Sequence, residues 1–185
     1  HTSSRRQRQM CIRDRAWLTL YAFAAQILCD FWGYSTIAIG VGLMYGIKLP
    51  LNFNLPYKAT SLREFWHRWH ITLSQWLRDY LYIPLGGNRT HQNRNLFLTM
   101  LLGGLWHGAS WNFVIWGAGH GLWLVVERII PDRFGELPGI KALKWLLLFN
   151  GVSLLWVFFR APDFGVAMEY SVSYTHLRAH ETNVD

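Results

Sequence analysis

Charge is what this 185-residue chain lacks over long stretches. No Lys, Arg, Asp or Glu occurs from Asn95 to Val126, and Asp30 is the only one from Ala16 to Ile47. A helix facing water needs a polar side, so such runs exclude ordinary surface helices and point to segments in lipid or protein. Cysteine is scarce as well: Cys11 and Cys29 make neither a disulfide framework nor a metal cluster. The chain has no Gly-rich phosphate loop, no nucleotide fingerprint and no Cys/His zinc spacing. Nucleotide and zinc chemistry are therefore not expected, and no metal site is assigned.

What is present is apolar and aromatic. The chain is 51% hydrophobic and 16% aromatic, with 11 Trp, a load that suits rings at membrane–water interfaces. The mean hydropathy is only +0.09, because polar ends dilute a very apolar middle. Residues 1–15 hold five Arg, and YSVSYTHLRAHETNVD (170–185) is equally unlike the middle. The words RRQRQMCIRDR and VSYTHLRAHET look like translated adapter sequence. Residues 1–15 and 169–185 are therefore set aside as non-native flanks, which leaves 16–168 as the expected core. A basic juxtamembrane arm and a soluble tail are the plainer alternative.

Without the flanks the chain keeps 12 Lys/Arg and 7 Asp/Glu, a net charge of +5. Seven of those cations lie between Lys48 and Arg94, against Glu64 and Asp79 alone. They sit on a short connection between apolar segments and form no basic module, so nucleic acid is not an expected partner. The positive-inside rule places residues 48–94 on the cytoplasmic side.

The expected fold is all-α, a polytopic membrane helical bundle with amphipathic or re-entrant helices. Ala16 to Ile47 is long for one span and short for two, and Gly33, Gly40, Gly42 and Gly46 suggest a bent or closely packed helix pair. Asp30, within apolar surroundings, should face protein or a polar cavity. KLPLNFNLPY (48–57) reads as a loop, and Ser61-Leu-Arg-Glu64 as a capping box opening a helix that runs to about Tyr82. Its apolar stripe is Leu62, Phe65, Trp66, Trp69, Leu73, Trp76 and Tyr80; Arg63, His67, His70, Ser74 and Arg78 take the other side. The uncharged stretch 95–126 breaks near Ser110-Trp111-Asn112 into two short helices, and Ala142 to Phe159 is a further spanning candidate.

His107 and His120 stand out, because ionisable groups in apolar segments are costly and often functional. Each occupies the last gap of a G-x-x-x-G, in Gly104-Leu-Trp-His107-Gly108 and Gly117-Ala-Gly-His120-Gly121. Histidine titrates near neutrality and serves as a general base; equally, either residue could hold the bundle together by a hydrogen bond between helices. His67 and His70 lie on the polar side of an exposed helix, where a solvated role is the plain one. Arg78 and Asp79 are either a surface pair or part of a donor-binding vestibule. Asn112, at the break, and His120 complete the candidates for substrate contact. Two other classes fit some of these residues: a transporter relaying protons through Asp30 and the histidines, and a haem protein using the spacing of His107 and His120.

The words REFWHRWHITLSQWLRDYLYIPLGGNR (63–89) and GGLWHGASWNFVIWGAGHGLWLVVER (103–128) resemble the membrane-bound O-acyltransferase family. The likeness is to its bacterial branch, which acetylates alginate or transfers D-alanine. CDFWGYSTIAIGVGLMYGIKLPLNFNLPY (29–57) looks like the block that precedes them, with departures at Trp32 and Thr36. The resemblance covers about residues 16–165. It implies a multi-helix membrane core with a catalytic His in the LWHG motif, here His107, and a second in FWxRWHI, here His70. It also implies helices preceding this segment, so that the chain is a fragment of the family's core. The implied reaction is acyl transfer, most simply acetyl, to a hydroxyl of an extracytoplasmic cell-surface polysaccharide. The donor would be a cytoplasmic thioester, acetyl-CoA or an acyl carrier protein, acting as substrate with no cofactor needed. The implied setting is the bacterial inner membrane, multi-pass in its lipid, beside a periplasmic partner acetyltransferase.

Overall fold

The computed structural model describes residues 2–130 and 139–168, with side chains from Trp17 onward. The flank 169–185, the side chains of the flank 1–15 and residues 131–138 of the hydrophilic stretch lie outside the described residues. The described elements are all helical: α1 Thr2–Met44, α2 Leu62–Arg68, α3 Ile71–Leu77, α4 Gln92–His107, α5 Trp111–Ile129 and α6 Ile140–Arg160. A 3₁₀ turn at Pro56–Lys58 and a π-helical turn at Arg78–Tyr82 join them.

Among the described residues two segments are long and apolar enough to cross a bilayer, Trp17–Met44 of α1 and Ile140–Arg160 of α6, with mean hydropathies of 1.4 and 1.7. At about 1.5 Å per residue, each matches or exceeds the roughly 30 Å hydrocarbon core. Their outward faces are apolar and open: Leu18, Ile37 and Met44 on α1, and Leu143, Leu146 and Leu147 on α6. A face of this kind is stable against lipid and costly against water.

The glycines of the first segment do not divide it. α1 is one continuous helix, and a Cβ at Gly33 or Gly40 would meet nothing within 4 Å. After Met44 the chain forms a loop that doubles back along α1. Asn52 Nδ2 donates to Ser35 Oγ at 3.2 Å, and Tyr57 O–H donates to the Ala24 carbonyl at 2.8 Å. Phe53, Pro56 and Ala59 are buried in that return. The loop read from its prolines and asparagines is thus a strap held to α1 on one side, with Pro56 buried and Asn52 half-buried while Pro50 and Asn54 stay exposed.

The helix expected from Ser61 to Tyr82 is broken. Its start agrees with the sequence signal, with the Ser61 hydroxyl accepting from the Glu64 N–H at 3.1 Å. The Glu64 carboxylate accepts from the Thr60 amide at 2.9 Å, which is the main cause of its lowered pKa. The stabilisation from that carboxylate is present above the ordinary range of a glutamate and fades as pH falls through its depressed value. At Trp69 the helix stops, and His70 takes a left-handed conformation with φ 44° and ψ 54° before α3 begins. The break turns the stripe. Leu62, Phe65 and Trp69 stay buried, while Trp76 and Tyr80 beyond it are 50% and 70% exposed and stack on each other.

A second, distant cap anchors α2. Glu127, near the end of α5, accepts from the first-turn amides of Leu62 at 2.8 Å and Arg63 at 3.1 Å. A carboxylate is the preferred partner for these otherwise unpaired donors, by charge and by helix dipole. Hydrogen bonds to charged groups contribute about 1.5–3 kcal/mol when buried, and this site is half-buried. Glu127→Ala is therefore expected to lower stability by about 2 kcal/mol. Equilibrium unfolding of the purified full chain in mixed micelles checks this, and Glu127→Gln should recover part of the loss.

α4 and α5 form the most extensive helix pair. They meet through glycine: a Cβ on Gly104 would press into the Phe113 carbonyl and lie 3.0 Å from the Cα of Gly117. The core lies where this pair meets α1, α2 and α6, around Ala24, Phe65, Trp69, Trp116, Val152 and Trp156.

Candidate active site

The chain turns between α4 and α5 where the sequence suggests. His107 is the last residue of α4, Gly108 carries φ 157°, and the Ser110 hydroxyl accepts from the Asn112 N–H at 3.3 Å to start α5. A Cβ at Gly108 would meet the Phe113 ring at 2.8 Å, so the motif glycine lets an aromatic close over the turn. His107 therefore sits at a helix end instead of inside a span. Its ring is boxed by Trp106, Trp116 and Phe159, with centroids 5.0, 5.3 and 5.2 Å away. It is half-buried, and neither ring nitrogen has a hydrogen-bond partner among the described residues. An imidazole held by ring packing alone keeps its nitrogens available for a bound molecule.

His70 approaches from the break between α2 and α3. Its Nδ1 lies 3.1 Å from Asn52 Oδ1, and Phe31 meets its ring edge-on at 4.7 Å. His70 and His107 line one cavity of about 650 Å³ between α1, α2, α3, the end of α4, α5 and α6. Its walls are mostly aromatic, with Phe23, Phe31, Trp66, Trp69, Trp116, Trp156 and Phe159. Polar groups on the same lining are Gln26, Asp30, Tyr34 and Arg160, and the Arg160 guanidinium lies 5.7 Å over the Phe23 ring. The one charge of the first apolar segment thus faces a cavity, as its cost in hydrocarbon requires.

The other candidates lie elsewhere. Arg78 and Asp79 pair with each other on the exposed π-helical turn, at 2.7 Å. Their hydrogen bond holds the Asp79 carboxyl below its ordinary range and raises the Arg78 guanidinium. Asn112 donates through Nδ2 to the Ala161 carbonyl at 2.9 Å, tying the start of α5 to the end of α6. His120 is fully buried, and its Nδ1–H donates to the Trp116 carbonyl at 2.9 Å. Its ring packs against Trp66 and Trp116, behind the wall of the cavity. His67 is exposed. Because His107 ends α4 and His120 lies within α5, no single straight helix carries both, as paired haem ligands at this spacing require. Among the described residues no three His, Cys, Asp or Glu gather as metal ligands.

Asn52, Gln26 and Arg160 were not legible as site residues. Asn52 reads as loop composition, and its link to His70 crosses 18 positions. Gln26 is a lone amide within the first apolar segment, and Arg160 looks like an interface residue at the end of the last.

A helical fold with two segments long and apolar enough to cross a bilayer and a histidine-lined cavity between them is the architecture of a helical membrane protein. The family model described as MBOAT, membrane-bound O-acyltransferase family, matches residues 15–168, and the chain belongs to that family. It is 57% identical over 156 residues to a probable alginate O-acetylase, AlgI, of Azotobacter vinelandii, covering 82% of this chain and 31% of that one. It is 50% identical over 160 residues to the peptidoglycan O-acetyltransferase of Helicobacter pylori, covering 84% and 30%. A teichoic acid D-alanyltransferase of Streptococcus thermophilus is 34% identical over 167 residues, covering 76% and 40%. The chain thus spans about a third of the length of the curated relatives it matches.

Proposed function

We propose that the protein to which this segment belongs moves an acyl group, acetyl in the first instance, from a cytoplasmic thioester to a hydroxyl of a cell-surface polysaccharide. The observation that carries the reading is the shared cavity: His70 and His107, from motifs far apart in sequence, line one chamber. Relatives named for acetylating alginate and peptidoglycan, at 57% and 50% identity, support acetyl and a polysaccharide acceptor.

In this mechanism the accepting hydroxyl enters the chamber beside His107. The imidazole removes its proton as the oxygen attacks the thioester carbonyl, and the tetrahedral intermediate collapses to an ester. The thiolate leaves and recovers the proton as a free thiol. His70, on the same cavity lining, positions the donor or handles that returning proton. The aromatic side chains around the two histidines give the reacting atoms a largely apolar surrounding. The cations between Lys48 and Arg94 attract the phosphates of CoA or an acidic carrier protein. The hydroxyl that enters belongs to the polymer itself or to a periplasmic partner acetyltransferase, which then passes the ester's acyl group on to the polymer.

The full-length protein in inner-membrane vesicles, given radiolabelled acetyl-CoA and, separately, acetylated carrier protein, tests this. Label arriving in an ester on polymer or partner is the expected result. Neither donor being consumed, with the partner present, would overturn the reading.

A further inference from the structure

Asn52 is bonded on every side. Its Nδ2–H donates to Ser35 Oγ at 3.2 Å, which orients the amide and turns Oδ1 toward His70 and Thr72. That oxygen accepts from the Thr72 hydroxyl at 2.9 Å and from the Thr72 amide at 3.3 Å. The Asn52 backbone carbonyl accepts from the Ile71 N–H at 3.0 Å, so main chain and side chain both grip the turn around His70. The turn itself is strained, since a left-handed conformation at a residue other than glycine costs on the order of 1 kcal/mol. Strain of this kind is kept where surrounding contacts fix it, and it gathers at functional sites.

The chemistry of the pair sets the state of the imidazole. An amide oxygen can only accept, so the ring nitrogen facing it must carry the proton. With Nδ1 protonated and donating, a neutral His70 has its lone pair on Nε2. That nitrogen has no partner among the described residues and is not sealed in the core, and the ring lines the cavity.

We propose that Asn52 is a positioning residue that locks His70 in the Nδ1–H tautomer, so that an unprotonated Nε2 is presented to the cavity as an acceptor for a substrate proton. The catalytic consequence rests on the acyl-transfer reading; the tautomer does not. His70 would then be built to take a proton or a hydrogen bond from the bound thiol or hydroxyl, not to donate one.

The test is solid-state nitrogen-15 spectroscopy of the full-length protein in lipid, labelled at histidine, with His70→Gln identifying the His70 signals. The wild type is expected to show a neutral His70 protonated at Nδ1. Asn52→Asp, which keeps an acceptor in place, should retain that form. Asn52→Leu should lose it in favour of the Nε2–H form that imidazoles prefer in water. A wild-type His70 protonated at Nε2 would overturn the proposal, as would an Nδ1–H form unchanged in Asn52→Leu. If Asn52→Leu does not fold, the wild-type spectrum decides by itself. In the transfer assay Asn52→Leu should lower kcat by about 10²-fold with KM little changed, and Asn52→Asp should restore most of it. Absence of transfer in a wild type that shows the Nδ1–H form would overturn the acyl-transfer reading and still support the contact.

Discussion

His107→Ala is expected to lower acyl transfer by about 10²–10⁴-fold, the range a positioned general base contributes, while the protein still inserts and folds. The ring is half-buried at the end of α4 and makes no hydrogen bond within the described residues, so its removal breaks no polar link. The packing loss is confined to the box of Trp106, Trp116 and Phe159. His107→Gln keeps most of that volume and should be as inactive as Ala, since an amide cannot take the proton. His120→Gln is the internal control. Its amide can still donate to the Trp116 carbonyl, and the residue lies behind the cavity wall. Single-turnover transfer measured on the three variants separates the roles. Activity in His107→Gln equal to wild type would remove His107 from the chemistry; loss in His120→Gln at unchanged stability would bring His120 into it.

Gly104→Val should be the most damaging substitution for the scaffold. The added carbon meets backbone on the facing helix, the Phe113 carbonyl and the Gly117 Cα, and neither can rotate away. Overpacking typically costs about 1–3 kcal/mol, and a clash with main chain belongs at or above the upper end. The reciprocal position behaves alike, because a Cβ at Gly117 would lie 2.5 Å from the Met100 carbonyl oxygen. Separation of α4 from α5 moves His107 relative to Trp116 and Phe159, so activity should fall along with stability. Unfolding midpoints in mixed micelles, read beside transfer rates, check this. A Gly104→Val protein as stable as wild type would show that the two helices do not meet through these glycines.

The helical class, a break near Ser110-Trp111-Asn112 and the capping of α2 by Ser61 were legible because each depends on neighbours in sequence: uncharged runs, a polar Ser–Asn pair inside one of them, a hydroxyl three residues before a glutamate. The family words marked His70 and His107, and the structure puts both on one cavity. Periodicity misled at Trp69-His70. Its apolar stripe continues past the break, and nothing in the pattern shows that His70 has a positive φ, a conformation more familiar in glycine or asparagine. The glycines of α1 misled in the opposite sense, suggesting a helix pair where one helix runs on. The cap from Glu127 to α2 and the bond from Asn52 to His70 join residues 65 and 18 positions apart. One sequence holds no local trace of such pairings.

The order in which the chain is made has a consequence for α6. The strap meets α1 across 17 and 33 residues, and α4 meets α5 across one turn, so these contacts form between near neighbours. α6 is tied back across far longer distances, Trp145 to Tyr57 over 88 residues and Tyr21 to Asn150 over 129. It also brings Trp156, Phe159 and Arg160, the last of the described lining residues in chain order. A chain made as far as residue 139 therefore holds both histidines without the lining residues of α6. During biogenesis the docking of α6 is therefore the step that completes this part of the cavity lining, and it comes only after both histidines are in place.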